Sequence, residues 1–301
     1  MESTPAASPP GVRHAGLPVT EHALSAHRAR SFVVTGAARG IGRAIAEAII
    51  AAGHGAVAFD RDPEALEWAA NRPAYERIRG VAGDAGSVED CRRAAAVAGE
   101  LGELSGWINN AAVFRDEFLH DSPERVLGAI DANLRLAIVG TSVAVEWLRR
   151  TGFGGSIVNI SSHQGSRAVP GALAYATAKA GIEGLTRATA VDYGADDIRA
   201  NALALGTILT ERLEIELAGM QDDEREVRIA ELTALHPLGR IGATSDVAAA
   251  VVYLLSDDAS FISGAVIPID GGRSALGHDP EARIPDGRIA DELMEAPLAR
   301  A

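Results

Sequence analysis

Tyr175 and Lys179 stand four residues apart in the run Tyr-Ala-Thr-Ala-Lys, and of 28 lysine and arginine residues Lys179 is the only lysine. In a chain so biased toward arginine, a retained lysine marks a position that uses a compact ammonium and not a wide guanidinium fork. Positions i and i+4 share a helix face, so a helix here aims phenol and ammonium the same way. A free phenol titrates near pH ~10, and an adjacent cation favours its phenolate. The pair is thus equipped as a general acid/base for an alcohol or a ketone, and the expectation is a lowered Tyr175 pKa. The same tetrad is compatible with a surface lysine beside a core tyrosine, so its meaning depends on its company.

That company begins at the other end of the chain. Ser31-Phe-Val-Val-Thr35 is a short apolar run of the buried-strand type, and it enters Gly36-Ala-Ala-Arg39-Gly40-Ile41-Gly42. Ile41, Ala44, Ile45, Ala48 and Ile49 then follow at helical spacing. Glycines at such a junction turn the backbone sharply and let a pyrophosphate approach the amide groups at the helix start. The spacing Gly-x-x-x-Gly-x-Gly differs from the common dinucleotide fingerprint, and any tight strand–helix turn favours glycine. Its place on the first strand of a βαβ unit points to a nicotinamide dinucleotide.

Asp60 ends a second strand, Ala56–Asp60, about 20 residues past the glycines, where a carboxylate accepts both ribose hydroxyls of NAD and repels a 2′-phosphate. NAD is therefore expected over NADP. Arg39 and Arg61 are the counter-argument, since either guanidinium can pair with that phosphate. Asp84, with Ala85 beside it, closes a weaker third strand from Ile78, and is either a partner for the adenine amino group or a loop cap.

The remaining pattern supplies alternating elements. Pro63–Asn71 is expected as a helix, as is Ser87–Gly102 with a Ser87 cap. A strand is expected at Trp107–Asn110 and a long helix from Ser122 to about Arg150. Strands at Gly155–Ser161 and Ile198–Leu205 flank a helix over Ala174–Tyr193. A charged helical stretch spans Glu211–Ala234, a helix Ser245–Leu255, and a last strand Gly264–Ile269. Such alternation implies an α/β fold, a Rossmann-like doubly wound parallel sheet of about seven strands with helices on both faces, in one domain. Residues 1–30 lack an apolar h-region and read as a flexible leader, 31–273 as the catalytic domain, and 274–301 as an irregular tail.

Composition excludes other classes. With 47% hydrophobic and 23% charged residues the chain is of ordinary globular type. A net charge of −13 argues against nucleic acid or an anionic membrane as partner. No unbroken apolar run nears the ~20 residues that span a bilayer. The single cysteine, Cys91, fits a reducing, cytoplasmic setting. One cysteine and eight scattered histidines leave no ligand cluster, so no metal is expected. Gly-x-Ser-x-Gly is absent, which removes support for a hydrolase elbow.

Taken in order, Thr35–Gly42, Asp84, Asn109-Asn110-Ala111-Ala112, Asn133, Gly155–Ser162, Tyr175–Lys179, Asn201–Gly206 and Phe261–Gly272 give a chain that resembles the short-chain dehydrogenase/reductase family over residues 31–273. The resemblance implies an NAD(P)-dependent oxidoreductase acting on a CH–OH group. In it Ser162, thirteen residues before Tyr175, holds the substrate carbonyl oxygen and Tyr175 moves the proton. Lys179 binds the nicotinamide ribose and lowers the Tyr175 pKa, and Asn133 holds a water that links Lys179 to solvent. It further implies that Asn110 and Ala111 line the cofactor ribose, that Gly206, Ile208 and Thr210 lie at the nicotinamide, and that the assembly is a homotetramer or homodimer. Two positions depart from the family pattern, Ala112 for glycine and Leu205 for proline; neither removes a reactive group.

Val113–Phe118, His163–Leu173 and a lid over about 207–240 are expected around the reacting carbon. Leu213, Leu217 and Met220 would offer it an apolar face, and Asp222, Asp223, Glu224 and Arg225 a solvated one. His163 can touch substrate or be a satisfied loop residue. The substrate expected is a moderately apolar secondary alcohol or its ketone. A regulator that senses NAD without chemistry, or an isomerase or dehydratase on the same scaffold, are the alternatives; a regulator has no need of a complete Ser, Tyr and Lys set.

Overall fold

The computed structural model describes residues 29–70, 76–114, 117–120 and 122–277. In chain order they form β1 (Arg30–Thr35), α1 (Gly40–Ala51), β2 (Gly55–Asp60), α2 (Glu67–Ala70), β3 (Ile78–Ala82), α3 (Val88–Leu101) and β4 (Glu103–Asn109). There follow α4 (Pro123–Thr151), β5 (Gly155–Ser162), α5 (Leu173–Tyr193), β6 (Ile198–Leu205) and β7 (Ile208–Leu209). The chain continues through α6 (Glu211–Ala218), α7 (Asp222–Ala234), β8 (Gly242–Ala243), α8 (Thr244–Leu255) and β9 (Val266–Ile269). Seven strands make one parallel sheet in the order β3-β2-β1-β4-β5-β6-β9. The order reverses between β1 and β4, and at such a switch point the strand ends open a crevice for ligands.

Successive side chains of a strand face opposite sides, so β1 serves two cores at once. Phe32 and Val34 pack with Ile45 and Ile49 of α1 and Val247, Val251 and Leu254 of α8. Val33 packs on the other side with Cys91 and Ala94 of α3 and Val143 and Leu148 of α4. Strands covered on both faces carry unbroken apolar runs, which is why β1, β2, β5 and β6 were readable as strands.

Helix starts follow their caps. The Ser87 hydroxyl accepts from the Asp90 amide, and the Ser122 hydroxyl accepts from the Arg125 amide with Pro123 in the first turn. By length and composition α4 could cross a membrane. It instead buries Val126, Ala129, Ala137, Gly140, Val143 and Leu148, and carries the Arg135–Asp131 and Arg92–Glu146 ion pairs outside. It is a core helix of the sheet layer.

Several boundaries differ from expectation. β4 starts at Glu103, not Trp107, because Glu103 and Leu104 already pair with Arg30 and Ser31; Ser105 and Gly106 blank the apolar pattern. The helix expected from Pro63 is a 3₁₀ turn, Glu64–Leu66, followed by the single turn α2, and Asn71 lies outside the described residues. The charged stretch breaks at Gly219–Gln221 into α6 and α7. β9 begins at Val266, since Gly264 sits at φ +76° before the ladder. The short parallel pair β7–β8 was not foreseen; it ties the segment after β6 to the start of α8. Residues 1–28 of the expected leader and 278–301 of the expected tail lie outside the described residues.

Candidate active site

Tyr175 and Lys179 lie on the first turns of α5, with the Lys179 Nζ 5.3 Å from the centre of the Tyr175 ring. Lys179 is 2% exposed and its ammonium donates to the Ile160 carbonyl at 2.7 Å. Ser162 ends β5, and its side chain hydrogen-bonds the Tyr175 phenol. The neighbouring Ser161 is used differently: its hydroxyl donates to buried Glu183 at 2.9 Å. The two serines are thereby told apart by their partners.

The expectation of a lowered phenol pKa is corrected. Burial pushes Tyr175 up to about 12, against the smaller lowering by the Arg212 charge and the Ser162 hydrogen bond. Burial likewise pushes Lys179 down to about 8. Counting charges along the sequence omits the desolvation that closing the fold imposes on both groups.

A buried polar chain sets α5 against the sheet. The Trp107 indole donates to the Asn109 carbonyl oxygen, and the Asn109 amide donates to Thr141 and to Asn159, at 2.7 to 3.0 Å. The Asn159 amide donates in turn to Thr186 of α5 at 2.9 Å. A Cβ on Gly140 would fall 2.1 Å from the Asn109 oxygen, so α4 can close on this chain only with glycine there. Asn133 reaches the segment after β4 through its side chain. Its oxygen accepts from the Val113 amide at 2.9 Å, and its amide donates to the Val113 and Ala129 carbonyls. The side chain pins the segment after β4, and its oxygen, which accepts one hydrogen bond, keeps a second lone pair.

At the switch point Gly36 and Gly40 take φ +66° and +55°. A Cβ on Gly36 would lie 2.8 Å from the Ala111 Cα, and one on Gly42 2.2 Å from the Gly36 oxygen. Asn110 stitches the turn to β4, donating from its side chain to the Thr35 and Gly36 carbonyls, while the Asn110 and Ala111 amides donate to the Thr35 hydroxyl. α1 begins after Arg39 with no side-chain cap and no acidic residue in its first turn, so Ile41 and its neighbours present their amides to the crevice. Such an uncapped end suits a pyrophosphate. Asp60 accepts the Ala38 amide at 3.0 Å and the Asp62 amide at 3.2 Å. Arg39 pairs with Asp62 at 3.1 Å, and Arg61 is exposed. Asp84 accepts the Gly86 amide at 2.8 Å, a loop cap that leaves its second oxygen for other use, and Ala85 is buried behind it. Ala112 carries no left-handed strain, since Asp197 is the one non-glycine residue at positive φ among the described residues.

Leu205 closes β6 opposite Ser162, its carbonyl 3.2 Å from Nδ1 of buried His163. The His163 Nε2 has no partner among the described residues, so this histidine is half satisfied. Gly206, Ile208 and Thr210 follow, and Thr210 lies 3.8 Å from where a Gly40 Cβ would stand, which brings the segment after β6 over the glycine turn. Leu217 is buried, whereas Leu213 and Met220 are half-buried. Asp222–Glu224 are exposed and Arg225 pairs with Asp222, a solvated face as expected.

Within the segments expected around the reacting carbon, the structure singles out three residues that the sequence reading did not name. Phe114 stacks on Tyr175 with ring centres 5.3 Å apart and planes 27° apart, and the Arg212 guanidinium covers its other side at 4.0 Å. His236, 2% exposed at the end of α7, accepts the Thr207 amide on Nε2 at 3.1 Å. Their segments were expected here, but only the fold brings these three side chains to Tyr175 and Gly206, and nothing in their local spacing marks them individually.

A family model described as enoyl-(acyl carrier protein) reductase matches residues 36–274. Levodione reductase of Leifsonia aquatica is 32% identical over 256 residues, 82% of this chain and 94% of that protein. 2-(S)-hydroxypropyl-CoM dehydrogenase 3 of Xanthobacter autotrophicus is 34% identical, covering 81% and 96%. The crystal structure of levodione reductase superposes with a TM-score of 0.74 at 31% identity, covering 82% of this chain and 98% of that one. The doubly wound sheet and these matches define one class. The chain belongs to the short-chain dehydrogenase/reductase family, oxidoreductases that use nicotinamide cofactors.

Proposed function

We propose that this protein is an NAD-dependent dehydrogenase/reductase that interconverts a moderately apolar secondary alcohol and its ketone, with Tyr175 as general acid/base. One observation carries this: Ser162, Tyr175 and Lys179, on β5 and the first turns of α5, come together at one place, with Ser162 and Lys179 buried and Tyr175 half-buried between them. The nicotinamide, when bound, supplies or receives the hydride.

The chain's own groups do the rest. The Ser162 hydroxyl donates to the substrate oxygen and keeps it within reach of the phenol. Tyr175 gives its proton to the forming alkoxide in reduction and takes it back in oxidation. Lys179, an ammonium in a site closed to water, holds the ribose hydroxyls and stabilises the phenolate. Asn133 acts by fixing Val113, and with it the wall beside Phe114. Gly36, Gly40, Ile41 and Gly42 hold the pyrophosphate, with Asn110 and Ala111 on the adjoining wall. Asp60 takes the adenosine ribose, Asp84 and Ala85 the adenine edge, and Gly206, Ile208 and Thr210 the carboxamide. NAD is favoured because Asp60 would repel a 2′-phosphate while Arg39 is already engaged by Asp62.

Residues 207–240 form the lid of the catalytic domain 31–273. Exposed Phe114, Phe118, Leu173 and Leu209 give the mouth an apolar rim, which suits an uncharged substrate. Leu127 and Ile138 of α4, Tyr253 of α8 and Phe261 are also exposed, apolar surface that a homotetramer would cover. Cys91, buried and unpaired, fits a cytoplasmic setting.

A panel of ketones with NADH, followed at the reduced nicotinamide band, tests the assignment. Tyr175→Phe should bind NADH within about 3-fold of the parent and lose about 10²–10⁴-fold in turnover. Near-parental turnover in that variant rules out Tyr175 as the proton carrier, and no turnover by the parent of any ketone or alcohol rejects the redox function.

A further inference from the structure

The Asp60 carboxylate is one of two at the end of β2. Asp62, two residues on, uses both oxygens: Oδ1 accepts the Ala65 amide at 3.1 Å and Oδ2 meets the Arg39 guanidinium at 3.1 Å. Its own amide donates to the Asp60 Oδ1 at 3.2 Å, and the other Asp60 oxygen takes the Ala38 amide. Arg39, Asp60 and Asp62 therefore form one hydrogen-bonded unit joining the glycine turn to β2. Arg39 is one of the two guanidiniums that could receive a 2′-phosphate, and in this unit its charge is already matched.

We propose that Asp62 is a second selector of NAD over NADP, acting through Arg39. It rests on the assignment of this crevice to the dinucleotide. A 2′-phosphate arriving here meets two carboxylates, a guanidinium bound to one of them, and the exposed Arg61. To pair with it, Arg39 must leave Asp62, exposing that carboxylate to the incoming phosphate. Asp60 repels directly; Asp62 withholds the cation that would compensate. The Arg39–Asp62 pair is half open to solvent, with side-chain exposures of 60% and 39%, and such pairs add little to stability. Removing it should therefore change selectivity and leave the fold intact.

The test is a double-mutant cycle on the full chain, with NADH and NADPH dissociation constants read by nicotinamide fluorescence. Asp62→Asn keeps the size and an oxygen for the Ala65 amide; it should tighten NADPH about 10-fold and leave NADH within about 2-fold. Arg39→Ala alone should alter NADPH by less than about 3-fold, and Asp62→Asn with Arg39→Ala should lose the gain. Asp62→Ser, which also can accept the Ala65 amide, repeats the test should asparagine disturb the turn.

If NADH binds the parent and Asp62→Asn leaves NADPH unchanged, the role of Asp62 is overturned and the dinucleotide site stands. A gain that survives loss of Arg39 overturns the route through Arg39. A parent chain that binds neither dinucleotide overturns the role together with the site on which it rests.

Discussion

The Lys179 ammonium sits 5.3 Å from the centre of the Tyr175 ring and donates a hydrogen bond to the Ile160 carbonyl, so a buried cation lies directly beside a half-buried phenol. Burial acts on them in opposite directions, moving the phenol up to about 12 and the ammonium down to about 8. Each neutral form is favoured, yet the phenolate needs the cation beside it. Their ionisations therefore belong to the pair.

A pH dependence follows. Alcohol oxidation needs the phenolate, and a raised pKa keeps its population small at neutrality but rising with pH. From pH 6 to 8, kcat/KM for oxidation should climb by about one log unit per pH unit, since this quantity reports the free enzyme. Above about 8 the climb should bend as Lys179 gives up its charge. Ketone reduction needs the protonated phenol and should stay flat over the same range. A plateau in oxidation already reached below pH 7 would contradict a burial-raised phenol.

Lys179→Arg should damage both fold and turnover. The ammonium fits a site 2% exposed with its donor 2.7 Å from a strand carbonyl. A guanidinium is wider and cannot shed its charge when desolvated. Overpacking of this kind costs about 1–3 kcal/mol, which lowers Tm by about 2–4 °C per kcal/mol in a domain of this size. Thermal melts and steady-state rates check it; a variant with parental Tm and activity would show that the pocket is roomier than these contacts allow.

The Ser, Tyr and Lys set and the glycine turn were legible because each depends on types at short, fixed spacing. Ser162, Tyr175 and Lys179 lie on adjoining elements, and Gly36, Gly40 and Gly42 on a single turn. What stayed hidden depends on segments far apart in the chain. Asn109, Thr141, Asn159 and Thr186 become one hydrogen-bonded chain only when β4, β5, α4 and α5 meet. The sign of the Tyr175 shift was missed for the same reason: a charge four residues away is visible in sequence, the water excluded by α5 and β5 is not.

Arg212 offers a further check on that electrostatic balance. It covers Phe114, which stacks on Tyr175, and its charge lowers the phenol pKa after burial has raised it. Arg212→Leu removes this lowering, so the phenol moves higher still. The rising limb of alcohol oxidation should shift to more alkaline pH, with ketone reduction at pH 6 changed by less than about 3-fold. Arg212→Lys, which keeps the charge, should restore the parental profile. An unshifted profile in Arg212→Leu would leave Arg212 as a packing residue over Phe114 only.

His236 sets a condition at the acid end. Its Nε2 accepts from the Thr207 amide, so its proton must sit on Nδ1, 2.8 Å from the Leu232 carbonyl. A second proton on Nε2 would face the Thr207 N–H and break the link between α7 and the segment after Gly206. Burial is the largest influence and holds the His236 pKa below its usual 6.5; the Leu232 bond and Asp270 oppose it, and Arg273 adds to it. His163 is lowered as well, again by burial first. A folded value below the unfolded one means that this stability is fully present above about pH 6.5 and is lost as pH falls through the lowered folded value. The parent Tm should therefore fall by about 3 °C or more between pH 7 and 5, and His236→Gln should start lower at pH 7 but lose less on acidification. NADH affinity should weaken over the same interval in the parent, because Thr207 adjoins Gly206 and Ile208. An equal acid slope in parent and variant would move the cause away from His236 and onto the remaining titrating groups, His163 first among them.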